Sequence, residues 1–80
     1  MDGNYCVIEV KPGNARRDGI EKDLQTLSQF RGRAGYERAI LLFYGRIPEV
    51  LHAVIEGAGQ PPGIEYWLHP AHLTPAERFR

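Results

Sequence analysis

Glu9 and Lys11 are the residues whose types and spacing point most directly to chemistry. They lie near the end of an apolar run, Tyr-Cys-Val-Ile-Glu-Val-Lys, at residues 5–11. The β-branched and aromatic residues of this run predict a strand, in which alternate side chains point to the same side. Glu9 and Lys11 would then project together, so that a carboxylate could bind Mg²⁺ while an ammonium group acts beside it on a phosphate. The alternative interpretation is a salt-bridged, half-exposed strand end, worth about 0–1 kcal/mol.

Two further elements must position this pair. Pro12-Gly13-Asn14 ends the strand, and a helix is predicted over residues 15–31 by one apolar stripe. The stripe consists of Ile20, Leu24, Leu27 and Phe30. After a break at residues 32–35, the continuous apolar run within residues 38–44 predicts a strand that is covered on both faces.

The rest of the chain predicts a second helix over residues 48–57 and a third strand over residues 63–68. Together these elements predict a small three-layer α/β domain, formed by residues 1–80, with a short mixed sheet and a β-α-β crossover. We expect the first two strands to be parallel and the third to be antiparallel at an edge. We expect the two helices to pack on opposite faces of the sheet. A last helical turn is predicted near Thr74-Pro75.

Strand, motif and helix together resemble the PD-(D/E)-x-K nuclease superfamily, which has the restriction-endonuclease-like fold. The resemblance covers the latter half of that fold and rests on Ile8-Glu9-Val10-Lys11, the helix after it and the next buried strand. It implies that Glu9 is the second acidic position and a Mg²⁺ ligand, and that Lys11 is the general base or charge stabiliser. Gln25 on the helix matches a polar position used near the phosphate in some relatives, with Glu21 as the alternative.

The family's first acidic residue has no match in this chain. It normally lies on a strand that precedes the motif strand, whereas residues 2–4 (Asp-Gly-Asn) predict a tight turn. Asp2 is seven residues before Glu9, which is roughly 20 Å in an extended strand. Hydrolysis would therefore need another carboxylate.

Basic residues are concentrated in the first half of the chain. The whole sequence has ten basic and ten acidic residues, but residues 11–46 contain eight basic and four acidic ones, a surplus of 8 − 4 = +4. We expect Arg16, Arg17 and Arg46 to contact nucleic-acid phosphates, because guanidinium groups bind phosphate oxygens in a bidentate manner. The alternative is that these charges only keep helix ends and a loop soluble.

Other candidate residues favour packing or solvent roles. The lone Cys6 lies within the strand and is expected to be a small buried hydrophobe, and it cannot form an internal disulfide. His69 and His72 are too few for a zinc site and are read as loop residues. Trp67 is expected in core packing or at a partner interface.

The sequence has no signal peptide and no apolar run long enough to cross a membrane, which predicts a cytoplasmic protein. Two function classes remain. One is a Mg²⁺-dependent endonuclease or exonuclease acting on DNA or RNA. The other is a catalytically inactive, truncated or degenerate relative that serves as an interaction module. Its exposed first-strand edge would pair with another chain or form a homodimer.

Overall fold

Among the residues that the structure describes, four strands form one sheet in the order in which they occur along the chain. This computed structural model describes residues 5–32 and 36–80. The strands are β1 (Tyr5–Pro12), β2 (Tyr36–Tyr44), β3 (Ile64–His69) and β4 (Glu77–Arg78). β1, β2 and β3 are parallel, and β4 is antiparallel to β3. The predicted mixed sheet is confirmed, but the third strand is parallel, not antiparallel, because a helix carries the chain back between β2 and β3.

Two helices in the described part of the chain make these crossovers. α1 (Arg17–Arg31) connects β1 to β2, and α2 (Leu51–Gly57) connects β2 to β3. The predicted β-α-β unit is therefore present. The turn predicted at residues 2–4 lies outside the described residues, as do residues 33–35 of the predicted break. The segment after Thr74-Pro75 forms the short strand β4, where a helical turn was expected.

Both helices pack on the same face of the sheet, which differs from the expected three layers. A single buried cluster joins side chains of α1 and α2 to side chains of β2 and β3. Its members are Ile20, Leu24, Leu27, Ala39, Leu41, Phe43, Leu51, Val54, Ile55, Ile64 and Tyr66. Because both crossovers step in the same direction across the sheet, connections of the same hand place their helices on the same side. The result is two layers, with the second face of the sheet left uncovered by these helices.

The sequence explains how α1 is held in place. Its predicted apolar stripe is confirmed, since Ile20, Leu24 and Leu27 are all buried against the sheet. Asp18 lies in the first turn of α1 and Arg31 in the last. Both charges therefore interact favourably with the helix dipole. None of the helices in the described part of the chain has the length and apolar character that a membrane span requires.

Candidate active site

Glu9 and Lys11 project together from the side of β1 that faces α1. In the parallel register, Glu9 is paired with Leu41 and Lys11 with Phe43, and both β2 partners are buried beneath the helices. Side chains of paired residues lie on the same side of a sheet. Glu9 and Lys11 are themselves half-buried. The predicted common orientation of the two side chains is therefore confirmed.

Lys11 reaches across to α1, where it meets an acidic residue. Its Nζ lies 3.2 Å from Oδ2 of Asp23, and the two side chains are 27% and 13% exposed. Gly19, one turn earlier on α1, lies beside the lysine, because a Cβ at that position would be 3.4 Å from Nζ. Oδ2 of Asp23 is buried, and the ion pair is not aligned as a hydrogen bond. Lys11 and Asp23 therefore form a shielded charge pair between strand and helix.

Asp23 is the site residue that the sequence analysis missed. The spacing in the sequence could have identified it. Asp23 follows Ile20 by three residues, so it flanks the buried stripe on the same side as Gly19. An acidic residue at this flank of a crossover helix is within reach of a long cationic side chain on the strand below.

Gln25 and Glu21 lie on the opposite flank of α1. Both line a groove between the two helices, together with Val54 and Gly57 of α2. At 100° per residue, Asp23 and Gln25 point in nearly opposite directions around the helix axis, about 160° apart. Glu21 also accepts a hydrogen bond of 3.1 Å from Nε of Arg17. The structure thus brings Lys11 together with Asp23, and it places both predicted helix residues away from this pair.

The three predicted phosphate contacts lie at or near the carboxyl end of the parallel strands. Arg16 is exposed and caps α1 with extended backbone. Arg46 follows β2 and lies against Gly13, the residue after β1. Arg17 instead leans into the groove, since its Nη2 lies 3.6 Å from the position that a Cβ on Gly57 would occupy. Arg16 and Arg46 therefore share the edge where ligands commonly bind to α/β sheets.

The other candidate residues from the sequence are Cys6, His69 and His72, and the structure shows the surroundings of each. Cys6 is exposed, contrary to the prediction, because it lies on the uncovered face of the sheet. His69 is the last residue of β3, not the loop residue that was expected, and its ring packs edge-on against Tyr44 with 5.0 Å between ring centroids. His72 is exposed in the segment that precedes β4.

Carboxylate oxygens are the donors that Mg²⁺ prefers, and Glu9 offers one. Oδ2 of Asp23 accepts no hydrogen bond from the described residues, but Nζ of Lys11 at 3.2 Å already compensates its charge. Mg²⁺ is commonly held by one or two carboxylates together with waters and substrate phosphates. Groups of three or more histidine, cysteine, aspartate or glutamate side chains able to hold a metal are absent from the described residues. Further ligands would therefore come from the substrate or from another segment.

In comparisons with known proteins, no family model, no curated protein and no solved structure matches this chain.

Proposed function

We propose that this domain belongs to a Mg²⁺-dependent nuclease and acts on phosphodiester bonds of nucleic acids. The observation that carries the proposal is the shared orientation of Glu9 and Lys11 at the end of β1, with the carboxylate of Asp23 beside the lysine. A carboxylate and an ammonium group side by side can bind a cation and a phosphate at the same point. The resemblance to the PD-(D/E)-x-K superfamily agrees with this arrangement.

Each residue has a distinct role in the proposal. Glu9 would hold Mg²⁺, which when bound supplies a Lewis acid for the scissile phosphate. Lys11 would orient or deprotonate the attacking water, or stabilise charge on the phosphate. Asp23 acts as a positioning residue, because its contact with Nζ fixes where the ammonium group lies.

Substrate binding would use the cationic side chains at the carboxyl edge of the sheet. Arg16 and Arg46 are exposed there and could contact phosphates on either side of the scissile bond. A second acidic ligand would come from a longer natural chain, a second subunit or the surroundings of the substrate. A cytoplasmic location is part of the same proposal.

Cleavage assays with Mg²⁺ or Mn²⁺ on DNA and RNA, single- and double-stranded, test the proposal. We expect Glu9→Gln and Lys11→Met to lower the cleavage rate by at least a hundredfold. Glu49→Gln, which removes an exposed carboxylate from the loop after β2, should leave the rate unchanged. Cleavage that persists in Glu9→Gln would contradict the proposal, and so would an unaltered chain that neither cleaves nor binds DNA or RNA in the presence of either metal.

The role of Asp23 has its own readout. If Asp23 positions Lys11, then Asp23→Asn should lower kcat with little change in KM, and Asp23→Glu should restore part of the rate, because the contact with Nζ is lost in the first variant and kept in the second. A merely structural role would lower the amount of folded protein and leave kcat per folded molecule unchanged.

A second candidate function rests on the free edge of β1. Within the described residues, β1 pairs with β2 only, so its other edge presents unpaired backbone groups. If the β1 strands of two copies paired antiparallel about a two-fold axis at Val10, Glu9 of each copy would lie opposite Lys11 of the other. We propose this homodimer as the arrangement of a non-enzymatic interaction module. Sedimentation velocity over a wide range of protein concentration tests it, and a strict monomer would exclude it.

A further inference from the structure

The sheet face that α1 and α2 leave uncovered, here named the open face, carries side chains of all four described strands. The register places them in one layer, opposite to the buried core. They are Cys6, Ile8 and Val10 of β1, Arg38, Ile40, Leu42 and Tyr44 of β2, Glu65, Trp67 and His69 of β3, and Arg78 of β4. This face is separate from the candidate active site, since Glu9 and Lys11 project to the other side.

One half of the open face is an aliphatic patch. Ile8 is 52% exposed and Val10 is 59% exposed, and both lie beside Leu42 of the central strand, which is half-buried, and Ile40, which is only 8% exposed. Tyr44, which is 48% exposed, continues the same column. Contiguous exposed apolar surface is the part of the open face that a partner could cover with gain of free energy.

The other half of the open face holds a charge cluster with more cations than anions. Arg38 donates two hydrogen bonds to Glu65, of 2.8 Å and 2.7 Å, and Trp67 donates a third of 3.0 Å. Arg78 lies 3.8 Å from the same carboxylate. These contacts, the Arg38 hydrogen bond above all, lower the pKa of Glu65 from 4.5 to about 2. At neutral pH two guanidinium groups therefore share one carboxylate, which leaves a surplus of one positive charge.

Both guanidinium groups are accessible at this cluster. The side chains of Arg38 and Arg78 are 50% and 54% exposed, whereas that of Glu65 is only 13% exposed. An incoming carboxylate can thus reach the cations without displacing Glu65. The surplus charge favours an acidic partner.

The dimensions of the aliphatic patch match one helix. Two neighbouring strands with their side chains span roughly 10 Å, which is about the diameter of an α-helix. From Ile40 to Tyr44 the patch is about 13 Å long, or about nine helical residues. α1 covers the other side of β2 in the same way, with one apolar stripe over Ala39, Leu41 and Phe43.

Two other occupants fit this surface less well. Face-to-face packing of two copies would bring two charge clusters with the same surplus positive charge into one interface. Single-stranded nucleic acid stacks its bases on a series of exposed aromatic rings, whereas Tyr44 is the one exposed aromatic residue among those named on this face. Trp67 and His69 are half-buried, and they are held by contacts to Glu65 and Tyr44.

We propose that the open face is a docking surface for an acidic amphipathic helix. The helix would lay an apolar stripe of about two and a half turns over Ile8, Val10 and Leu42 and direct carboxylates toward Arg38 and Arg78. This mode is the helix-in-groove recognition used by many small domains. Because the buried area is small, the dissociation constant should lie in the micromolar range.

Two synthetic helical peptides test this proposal by amide chemical-shift titration of the full chain. They share one leucine stripe at positions i, i+3, i+4 and i+7, and they carry either glutamates or lysines on its flanks. We expect the acidic peptide to shift the amides of β1 and β2 and to bind at least tenfold more tightly than the basic peptide.

Matched variants separate the apolar contribution from the charged one. Val10→Gln should weaken the acidic peptide at least tenfold, while Val50→Gln, an exposed valine beside α2, should leave binding unchanged. Arg78→Gln removes the surplus charge without touching the Arg38–Glu65 pair, so the two peptides should then bind within about threefold of each other.

Several outcomes would overturn the proposal. They are failure of the acidic peptide to bind, equal binding of both peptides to the unaltered chain, and binding that survives Val10→Gln. A concentration-dependent dimer that Leu42→Gln abolishes would show that a second copy covers the open face, because Leu42 lies on the central strand and not at the free edge of β1. If an oligothymidine shifts the amide signals of Tyr44 and Trp67 while the acidic peptide shifts none, the open face binds nucleic acid.

Discussion

Nζ of Lys11 lies 3.2 Å from Oδ2 of Asp23, so that one charge pair bridges β1 and α1 at the rim of the core. Neither group is freely solvated, because the side chains are only 27% and 13% exposed. Removing one partner from such a pair costs more than removing both, since the remaining charge loses its compensation. The pair therefore fixes the orientation of the lysine. A substitution that breaks the pair should change both the position of the ammonium group and the free energy of unfolding.

The first prediction concerns the free energy of unfolding when this pair is broken. We expect Lys11→Met to lower it by about 1–3 kcal/mol, because Asp23 is left shielded and without its counter-charge. The double variant Lys11→Met/Asp23→Asn should recover at least half of that loss. Urea denaturation of the two single variants and the double variant measures the coupling. Strictly additive effects would show that the two charges do not interact.

The sequence predicts those parts of this fold that depend on local periodicity. The alternation in residues 5–11 places Glu9 and Lys11 on one side, and the stripe of α1 identifies Ile20, Leu24 and Leu27 as buried. Both follow from the geometry of a single element. The predicted bounds therefore agree with the observed elements to within about three residues.

What the sequence does not predict depends on how elements are arranged in space. The face on which α2 packs follows from the strand order, which no local pattern of Leu51 or Val54 encodes. Cys6 is exposed for the same reason, because no helix of the described chain covers its side of the sheet. The contact of Asp23 with Lys11 requires the position of α1 over β1, and charge counting alone cannot supply that.

The second prediction concerns the acid stability of the charge cluster on the open face. The pKa of Glu65 is lowered to about 2, first by its hydrogen bond from Arg38. A lowered pKa in the folded state stabilises the protein above the unfolded pKa of 4.5, and this contribution is lost as the pH falls through about 2. Glu65→Gln should therefore be less stable than the unaltered chain at pH 6, and the difference should shrink steadily below pH 4.5. Thermal unfolding at a series of pH values measures this.

For this comparison, Glu49→Gln serves as the control, since Glu49 is an exposed carboxylate on the helix side. Its stability difference should change little over the same range. A constant difference between Glu65→Gln and the unaltered chain from pH 6 to pH 2 would show that Glu65 gains no stability from its ionised form.

The third prediction concerns the hydroxyl group of Tyr66 in the core. The residue is only 4% exposed, and its Oη is buried without a hydrogen-bond partner in the described part of the chain. Burial also raises the pKa of this hydroxyl. Because an unsatisfied buried polar group costs about 1–3 kcal/mol, Tyr66→Phe should leave the free energy of unfolding unchanged or raise it by about 1 kcal/mol.

Chemical denaturation of Tyr66→Phe provides the measurement, with Tyr44→Phe as the control. Tyr44 is 48% exposed on the open face, so loss of its hydroxyl should change stability by less than about 0.5 kcal/mol. A loss of more than 1 kcal/mol in Tyr66→Phe would show that Oη makes a favourable hydrogen bond in solution.

The fourth prediction concerns the close approach of two loops at the carboxyl edge of the sheet. A Cβ on Gly13 would collide with Cγ of Arg46 and lie 3.0 Å from the Arg46 carbonyl oxygen and 3.1 Å from its amide nitrogen. The backbone of Gly13 cannot move away from Arg46 freely, because its amide donates a hydrogen bond of 3.0 Å to the carbonyl oxygen of Tyr44. Gly13→Ala should therefore lower the free energy of unfolding by about 1–3 kcal/mol, as overpacked sites do.

Gly32→Ala is the matched control for Gly13→Ala, since a Cβ on Gly32 would be 3.5 Å from the carbonyl oxygen of Ser28, an ordinary contact. That change should alter stability by less than about 0.5 kcal/mol. Because Arg46 must move to admit the new methyl group, Gly13→Ala should also weaken any nucleic-acid binding that uses Arg46, whereas Gly32→Ala should not. Equal stability and equal binding of the two variants would show that the two loops are not in contact, and Arg46 would then have no fixed place beside β1.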